Sequence, residues 1–312
     1  MIDVVCCTDG NYVMQTSVLI LSTCSQNAQE EITFHIITDG SVTAKDKRRM
    51  EGVIAPFGCM KMLFYCVKDE WFESLKVSSA FTKATFYRLS MAEILPPTVN
   101  KVLYLDGDMI VTGSIRPLWD MDISDVALAA VPDVCEDDPS IYERLEYPQE
   151  LGYFNGGVQL INIAYWRREK MLPVFLGLVR KNPERFKYYD QDVLNCVFNR
   201  KKKVLPLKYN VQNEVFFKVK NWDTKKFGAS LEEAIKKPVI VHFTRSQKPW
   251  IVGCPHPYTA EFNRYREMTP WRHRSIIDTL KYSGLRHTVG YYTRKWGMKA
   301  PMDNPYSNGK DA

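Results

Sequence analysis

Short apolar runs alternate with amphipathic stretches through the first part of the chain. The runs Ile2–Cys7, Ile32–Ile37 and Lys61–Val67 predict strands, because they are short, rich in β-branched and aromatic residues, and bounded by turn residues. Between them, apolar residues at helical spacing predict helices over Tyr12–Cys24 and Lys45–Ile54. Strands that alternate with helices are typical of β-α-β units, so the pattern predicts an α/β fold with a mostly parallel, doubly wound sheet.

The same alternation continues beyond residue 84. The predicted strands there are Val102–Leu105, Val126–Val131, Gly157–Ile163 and Val239–Phe243, and the predicted helices are Thr85–Leu95 and Asp190–Phe198. Pro96 and Pro97 end the first of these helices, and Asp190 is expected to cap the start of the second. The acidic segment Asp133–Glu150 has no clear period and is expected to be an irregular lid or acceptor-facing loop.

The composition fits a soluble globular protein. The chain has 312 residues, of which 45% are hydrophobic and 25% charged. None of its apolar runs approaches the roughly 20 residues of a membrane span, and we expect no secretory signal at the N-terminus. Eight scattered cysteines lack C-x-x-C spacing, which favours reduced thiols in the cytoplasm over a zinc site.

The positive charge is concentrated near the C-terminus. The net charge is +6, and residues 264–299 alone carry nine basic and two acidic residues, a balance of +7. We therefore predict a domain over residues 1–255 and a basic, aromatic, helical extension over residues 256–312. Because the positive charge is confined to one segment, the chain as a whole is not expected to bind nucleic acid. Nucleic-acid binding by the basic extension alone remains an alternative.

The strand that ends at Leu105 is followed by Asp106, Gly107 and Asp108. Side chains two residues apart leave an extended segment in the same direction, so both carboxylates can hold a divalent cation such as Mn²⁺ or Mg²⁺. The alternative is a pair of solvated aspartates at a turn. The first strand is not followed by G-x-G-x-x-G, so a dinucleotide dehydrogenase is disfavoured.

Separated motifs in this order and spacing resemble the family 8 retaining glycosyltransferases. They are Thr8-Asp9-Gly10-Asn11-Tyr12, Phe86-Tyr87-Arg88-Leu89, Leu105-Asp106-Gly107-Asp108, Tyr153-Phe154-Asn155-Gly156-Gly157-Val158, and Tyr189-Asp190-Gln191-Asp192 together with His242-Phe243-Thr244-Arg245-Ser246-Gln247-Lys248-Pro249-Trp250. That family has the nucleotide-sugar transferase A-type fold and includes bacterial lipopolysaccharide galactosyl- and glucosyltransferases, with glycogenin more distant. The resemblance covers about residues 2–250.

The resemblance implies a role for each matching residue. His242 would be the third metal ligand beside Asp106 and Asp108. Asp9 would accept from the uracil N3–H, Tyr12 would stack on the base, and Lys248 would contact the phosphates. The remaining donor-binding residues would be Thr8, Asn11, Arg88, Gly107, Asn155, Gly156, Asp190, Gln191 and Arg245. The structural alternative for Arg88 is a buried ion pair, with Asp106 as the candidate partner. Trp250, which follows Lys248 and Pro249, is expected to pack.

Two pairs of residues bear on the chemistry. Gln191 and Asp190 are the candidate catalytic residues, but an amide cannot act as an ionised nucleophile. We therefore favour same-face substitution, in which the departing phosphate oxygen takes the acceptor's proton and the Gln191 amide oxygen stabilises positive charge. Arg245 and Ser246 stand where many relatives have Gly-Pro, so the phosphate loop differs in detail.

The sequence thus predicts a metal-dependent retaining hexosyltransferase. Its donor would be UDP-galactose or UDP-glucose and its acceptor a glycan or glycolipid of the cell surface. A glycogenin-like self-glucosylating protein and a non-catalytic UDP-sugar-binding protein are the alternatives. The basic aromatic extension predicts docking to an anionic membrane, which would make the protein peripheral at the cytoplasmic face of the inner membrane.

Overall fold

The computed structural model describes residues 1–68, 71–72, 84–217, 223–272 and 276–295. The strands are β1 (Ile2–Thr8), β2 (Ile32–Thr38), β3 (Met60–Cys66), β4 (Lys101–Leu105), β5 (Met109–Val111), β6 (Leu128–Pro132), β7 (Phe154–Asn162), β8 (Lys202–Val204), β9 (Val211–Gln212) and β10 (Ile240–His242). The helices are α1 (Val13–Gln26), α2 (Ala44–Ile54), α3 (Ala84–Tyr87), α4 (Met91–Ile94), α5 (Arg116–Trp119), α6 (Pro139–Leu145), α7 (Ile163–Arg168), α8 (Met171–Lys181), α9 (Tyr189–Phe198), α10 (Asn213–Phe216), α11 (Ala229–Lys236), α12 (Thr259–Glu267), α13 (Ile276–Ser283) and α14 (Leu285–Lys295).

The described strands form one large and one small sheet. The large sheet has the order β3-β2-β1-β4-β7-β6-β8, and the small sheet has the order β5-β10-β9. Strand β1 pairs in parallel with β2 and β4, whereas β7 is antiparallel to β4 and β6. The predicted α/β class with a mostly parallel sheet is confirmed, and β7 is the strand that reverses direction.

Helix α1 is buried between the sheet and the rest of the core. Val18, Leu19 and Ile20 are fully buried although they face different sides of the helix, as expected for a helix that is covered all round. Its hydroxyl residues are satisfied locally, because Ser17 donates to Val13 O at 2.7 Å and Thr23 donates to Leu19 O at 2.8 Å. The helix therefore fixes the turn that precedes it, residues 9–12, against the core.

Two predicted elements differ from the structure. The helix predicted over residues 85–95 is two short helices, α3 and α4, separated by the 3₁₀ turn Arg88–Ser90. The segment predicted to be irregular contains α6, whose first turn is capped by Asp138 accepting from Ser140 N at 3.0 Å. Seven residues give only two helical turns, too few for a clear period in the sequence.

The start of α9 also differs from the prediction. Tyr188 is the N-cap residue, and Asp190 makes no capping hydrogen bond. The Asp190 carboxylate instead forms an ion pair with Arg88, with Oδ2 at 2.6 Å from Nε. A charged partner at this distance outcompetes a backbone N–H for the carboxylate, so the capping prediction is wrong.

The C-terminal helices are partly integrated into the body. Phe262 and Tyr265 of α12 are buried, and the Tyr265 hydroxyl accepts from Gln26 Nε2 of α1 at 3.0 Å. Helices α13 and α14 follow, whereas the predicted tail residues Arg274, Trp296 and Lys299 lie outside the described residues. Among the residues that the structure describes, none of the helices is long and apolar enough to cross a bilayer.

Candidate active site

The candidate site lies at the sheet edge where β1 and β4 end and β7 begins. Strands β1 and β4 are parallel neighbours, so the turns after Thr8 and Leu105 lie at the same edge of the sheet. Strand β7 begins at that edge because it is antiparallel to β4, and Asp106 N donates to Gly157 O at 2.9 Å. In the small sheet, His242 pairs with Met109. This topology gathers motifs that are up to 230 residues apart in the sequence.

Asp106, Asp108 and His242 form a cluster suited to a divalent cation. One ligand atom from each residue lies within 4.8 Å of the others. The His242 Nε2 atom is 3.4 Å from Asp108 Oδ1, and Gly157 lies directly beside the ring. A Cβ at Gly157 would be 2.3 Å from His242 Cε1, so only glycine fits next to this histidine.

Amide side chains fix which His242 nitrogen carries the proton. Asn155 Oδ1 accepts from the Gly157 N–H at 3.0 Å, which defines the orientation of its amide. Asn210 Nδ2 therefore donates to that oxygen at 2.8 Å, and Asn210 Oδ1 faces His242 Nδ1 at 3.0 Å. An oxygen there requires a protonated Nδ1. In the neutral ring the lone pair is then on Nε2, the atom that faces Asp108, and this is the tautomer that a metal ligand needs.

Two cations balance the aspartates. Lys248 Nζ is 2.7 Å from Asp108 Oδ2. Burial alone would raise the pKa of the Asp108 carboxyl, but the charge of the Lys248 ammonium opposes burial, and this pKa lies well below its ordinary value. Arg88 Nη2 donates to Asp106 Oδ1 at 2.6 Å, and the Tyr104 hydroxyl donates to the same oxygen at 2.6 Å.

Arg88 connects the carboxylates with strand β7. Besides its contacts with Asp106 and Asp190, its Nη1 donates to Gly156 O at 2.5 Å. Its guanidinium lies over the Tyr104 ring with a separation of 4.3 Å. Burial lowers the pKa of Arg88, but the two aspartates raise it above its ordinary value. Burial also raises the pKa of Asp190 to about 7, against the lowering effect of Arg88. The ion pair foreseen between Arg88 and Asp106 is thus present.

Gln191 is held in one orientation at the start of α9. Its Oε1 accepts from the Gly156 N–H at 2.8 Å, which defines the amide. Its Nε2 then donates to Asp133 Oδ2 at 3.1 Å and to the Tyr153 hydroxyl at 2.9 Å. Asp133 Oδ2 also accepts from Asn155 Nδ2 at 2.8 Å. Gln191, Asn155 and Asp133 therefore form one buried network beside Asp190.

The turn after β1 has a defined shape before any ligand binds. Asp9 Oδ1 accepts from Asn11 N at 2.8 Å and from Tyr12 N at 3.1 Å. The Tyr12 ring meets Trp250 edge-on with centroids 5.7 Å apart. Trp250 itself is buried, which confirms that it packs.

Two residues predicted near the donor are mainly held by the body. Thr8 is buried, and its hydroxyl accepts from Thr16 Oγ1 at 3.0 Å. Gly107 faces the same helix, since a Cβ there would be 2.9 Å from Thr16 Oγ1. Both residues set the close approach of α1 to the strand ends.

Arg245 is fixed by an acidic partner from α10. Its Nε donates to Glu214 Oε1 at 2.8 Å, and Thr244 Oγ1 donates to Glu214 Oε2 at 3.2 Å. This pairing ties the loop that carries Lys248 to the segment that follows β9. The Arg245 side chain is predicted to bind phosphate, and this contact would compete with its ion pair to Glu214.

The residues of the site that the sequence prediction missed include Asp133, Tyr153 and Asn210. Asp133 had a usable signal, because it follows an apolar strand that ends at the same edge as β4. Tyr153 was within a quoted motif but had no assigned role. Asn210 had no signal, because it stands in a loop and meets His242 only through the pairing of β9 with β10.

The architecture has a close counterpart among solved structures. A crystal structure of the galactosyltransferase LgtC in complex with donor and acceptor sugar analogs superposes with a TM-score of 0.78 at 25% identity, covering 86% of this chain and 96% of that chain. The fold is therefore of the A type found in nucleotide-sugar transferases. Residues 3–252 match the sequence profile described as Glycosyl transferase family 8. This chain belongs to that family and is a glycosyltransferase.

Curated relatives agree with this assignment. General stress protein A of Bacillus subtilis (strain 168) is 30% identical over 86% of this chain and 94% of its own length. The lipopolysaccharide 1,3-galactosyltransferase of Salmonella typhimurium is 27% identical over 92% of this chain and 89% of its own length. The predicted family resemblance is confirmed.

Proposed function

We propose that this glycosyltransferase moves galactose or glucose from a UDP-sugar to a glycan or glycolipid, with retention of the anomeric configuration and with a divalent metal. The observation that carries the proposal is the convergence of Asp106, Asp108 and His242 next to the cations Arg88 and Lys248. Oxygen ligands and a neutral imidazole suit Mn²⁺, with Mg²⁺ as the alternative. A metal held there would neutralise charge on the leaving diphosphate.

The residues around this cluster form three groups, and each group would bind one part of the donor. Asp9, Asn11 and Tyr12 would bind the nucleoside, since they form the partly exposed turn after β1. The diphosphate would lie near Arg88, Arg245 and Lys248, of which Arg88 and Lys248 contact the aspartates directly. The hexose would contact residues at the junction of β7 and α9, namely Asn155, Gly156, Asp190 and Gln191.

The network around Gln191 supports same-face substitution. The fixed amide keeps its oxygen toward Gly156 and its nitrogen toward Asp133, and the oxygen retains a second lone pair for positive charge that develops on the sugar. In this scheme the acceptor oxygen forms a bond to the anomeric carbon as the bond to the phosphate breaks. The departing phosphate oxygen takes the acceptor's proton.

A donor panel tests the proposal. Purified protein is incubated with nucleotide sugars and Mn²⁺, and both slow donor hydrolysis and transfer to added glycans are measured. We expect activity with UDP-galactose or UDP-glucose, loss of activity with chelator, and loss in Asp108→Asn, which keeps the shape but removes the anionic ligand. Asp125→Asn, at an exposed position, is the matched control and should be active.

The configuration of the product separates the alternatives. Transfer with inversion, read by NMR, would overturn the retaining assignment. UDP binding without hydrolysis or transfer would favour a non-catalytic UDP-sugar-binding protein. Hexose found by mass spectrometry on a tyrosine of the protein itself would favour a glycogenin-like activity.

We also propose that α13 and α14 bring the enzyme to an anionic membrane at the cytoplasmic face. Leu285 and Val289 lie one helical turn apart and are 68% and 51% exposed, with Arg286 and Lys281 exposed nearby. Apolar residues flanked by cations suit an interface with anionic lipid. A glycolipid acceptor would be found at the same surface.

Sedimentation with vesicles tests membrane docking. The truncation should follow residue 272, because cutting after Pro257 would also remove the buried Phe262 and Tyr265. We expect the full chain to sediment with phosphatidylglycerol vesicles at low salt, but not with phosphatidylcholine vesicles, and to be released by high salt. Equal sedimentation of the full and truncated chains would refute the membrane role.

A further inference from the structure

The two C-terminal helices contact the catalytic body at Val252 and Gly253, which lie in residues 250–254, called the turn segment below. Both backbone polar groups of Val252 are bound by these helices. The Val252 N–H donates to Ser283 Oγ of α13 at 3.0 Å, and Val252 O accepts from His287 Nε2 of α14 at 2.9 Å. A loop residue whose N–H and C=O both bond to a separate element is fixed in position by that element.

The next residue adds a steric contact. Gly253 has a φ of 77°, in the left-handed region that favours glycine. A Cβ at Gly253 would be 2.8 Å from Cδ2 of Tyr291 and 3.0 Å from its Cε2, so one edge of the Tyr291 ring lies directly against the backbone there. Ser283, His287 and Tyr291 share one side of the helical pair, opposite the exposed Leu285 and Val289.

Internal hydrogen bonds connect the turn segment to the candidate donor site. Ile251 N donates to Lys248 O at 2.8 Å, and Cys254 Sγ donates to Gln247 O at 3.2 Å. Lys248 is the residue whose ammonium contacts Asp108. Trp250, at the start of the turn segment, packs on the ring of Tyr12. A shift of Val252 would therefore move both the proposed phosphate contact and the proposed support of the base-stacking ring.

We infer that Ser283, His287 and Tyr291 are positioning residues for the UDP-sugar, although they lie outside the sequence motifs described above, which end at Trp250. Helices α13 and α14 hold the turn segment, and the turn segment holds Lys248 and Trp250. The inference rests on the proposed UDP-sugar donor. It gives the C-terminal helices a role in donor binding that is independent of any membrane.

Hydrogen exchange and UDP binding test the inference without vesicles. The variants are Ser283→Ala combined with His287→Ala, and Tyr291→Ala alone. The matched control is Val289→Ala, which lies on the exposed side of the same helix. His287→Gln is the conservative variant, because its amide can still donate to Val252 O. Exchange at residues 250–254 is followed by mass spectrometry, and UDP affinity with Mn²⁺ by calorimetry.

We expect faster exchange at residues 250–254 in the first two variants and a UDP dissociation constant raised about two- to tenfold, the effect of one net hydrogen bond. Val289→Ala should match the unmodified protein, and His287→Gln should keep most of the protection. The midpoint of thermal unfolding should stay unchanged, because the contacts lie outside the main core.

Several outcomes would overturn the inference. Unchanged exchange at residues 250–254 in Ser283→Ala/His287→Ala would show that the helices do not hold the turn segment. Faster exchange with unchanged UDP affinity would show that they hold it without consequence for the donor. If the unmodified protein bound no UDP, the proposed function would fail instead, and the exchange experiment would still decide whether the helices dock.

Discussion

At the scale of single residues, the candidate site depends on amides whose orientation is defined by backbone donors. The Gly157 N–H fixes Asn155 and the Gly156 N–H fixes Gln191. From the orientation of Asn155, the amide orientation of Asn210 and the proton on His242 Nδ1 follow. A site prepared in this way loses little free energy to reorganisation when charge develops in it.

Asn210 should control metal affinity without touching the metal. Asn210→Ala removes the acceptor of His242 Nδ1–H, so the ring loses its fixed tautomer and orientation. We expect Mn²⁺ affinity, measured by calorimetry, to fall about ten- to a hundredfold, as for other partners of ligating histidines. Asn199→Ala, whose amide donates to Cys196 O at 2.9 Å, is the control. Equal Mn²⁺ affinity in both variants would contradict this role.

Gln191 should affect turnover rather than nucleotide binding. Its contacts are with Gly156, Asp133 and Tyr153, on the proposed hexose side of the site. Gln191→Ala should lower kcat by about a hundredfold, as expected when a group near developing charge is removed. The dissociation constant for UDP should hardly change. A variant that lost UDP binding but still turned over bound donor would show that the assignment is wrong.

At the scale of elements, α12 links the C-terminal part of the chain to the core. Phe262 is fully buried and packs against Trp250 and Phe243, with ring centroids 5.5 and 5.7 Å apart. The helix thus covers the strand end that carries His242. The predicted division between residues 255 and 256 stays a prediction, but contacts cross it through this helix.

Phe262→Ala should destabilise the whole body. Removing a buried phenylalanine ring typically costs about 3–5 kcal/mol, so the midpoint of urea unfolding should fall sharply. Met268→Ala is a suitable control because Met268 is 59% exposed just after the same helix, and it should change stability by less than about 0.5 kcal/mol. Similar midpoints for the two variants would mean that α12 is not part of the core.

At the scale of the whole molecule, a buried neutral histidine links stability to pH. His256 packs among Phe216, Phe243 and Tyr258, and burial lowers its pKa from 6.5 to about 4. The unfolded chain therefore binds a proton near pH 6.5 that the folded chain binds only near pH 4. The stability from this group is fully present above pH 6.5 and is lost as the pH falls toward 4.

His256→Asn should weaken that pH dependence. An asparagine can accept from the Tyr258 N–H, as His256 Nδ1 does at 3.1 Å, but it does not titrate. We expect the fall in unfolding free energy between pH 7 and pH 4.5 to be smaller in the variant, by at most about 3 kcal/mol. Urea unfolding at the two pH values measures this. If the unfolding free energy fell by the same amount in both proteins, His256 would already be charged in the folded protein at pH 4.5.

The sequence by itself determined the elements and the class of chemistry. Strands β1, β2 and β3 were predicted to within about a residue, because hydrophobic period and turn residues are local properties of the chain. The family resemblance and the carboxylates after β4 likewise needed no coordinates. The break at Arg88 was missed because the partners of this residue come from elsewhere in the chain, and helix α6 was missed because two helical turns give no clear period.

The tertiary structure alone decided which groups meet. Asp190 binds Arg88 instead of capping its helix, Asn210 orients His242, and the C-terminal helices reach Val252. Each of these contacts joins residues at least 30 positions apart, across strand pairings or helix packings that no local pattern specifies. The type of a residue determines which bonds it can form, whereas the pairing of strands and the packing of helices determine which partner is close enough to bind.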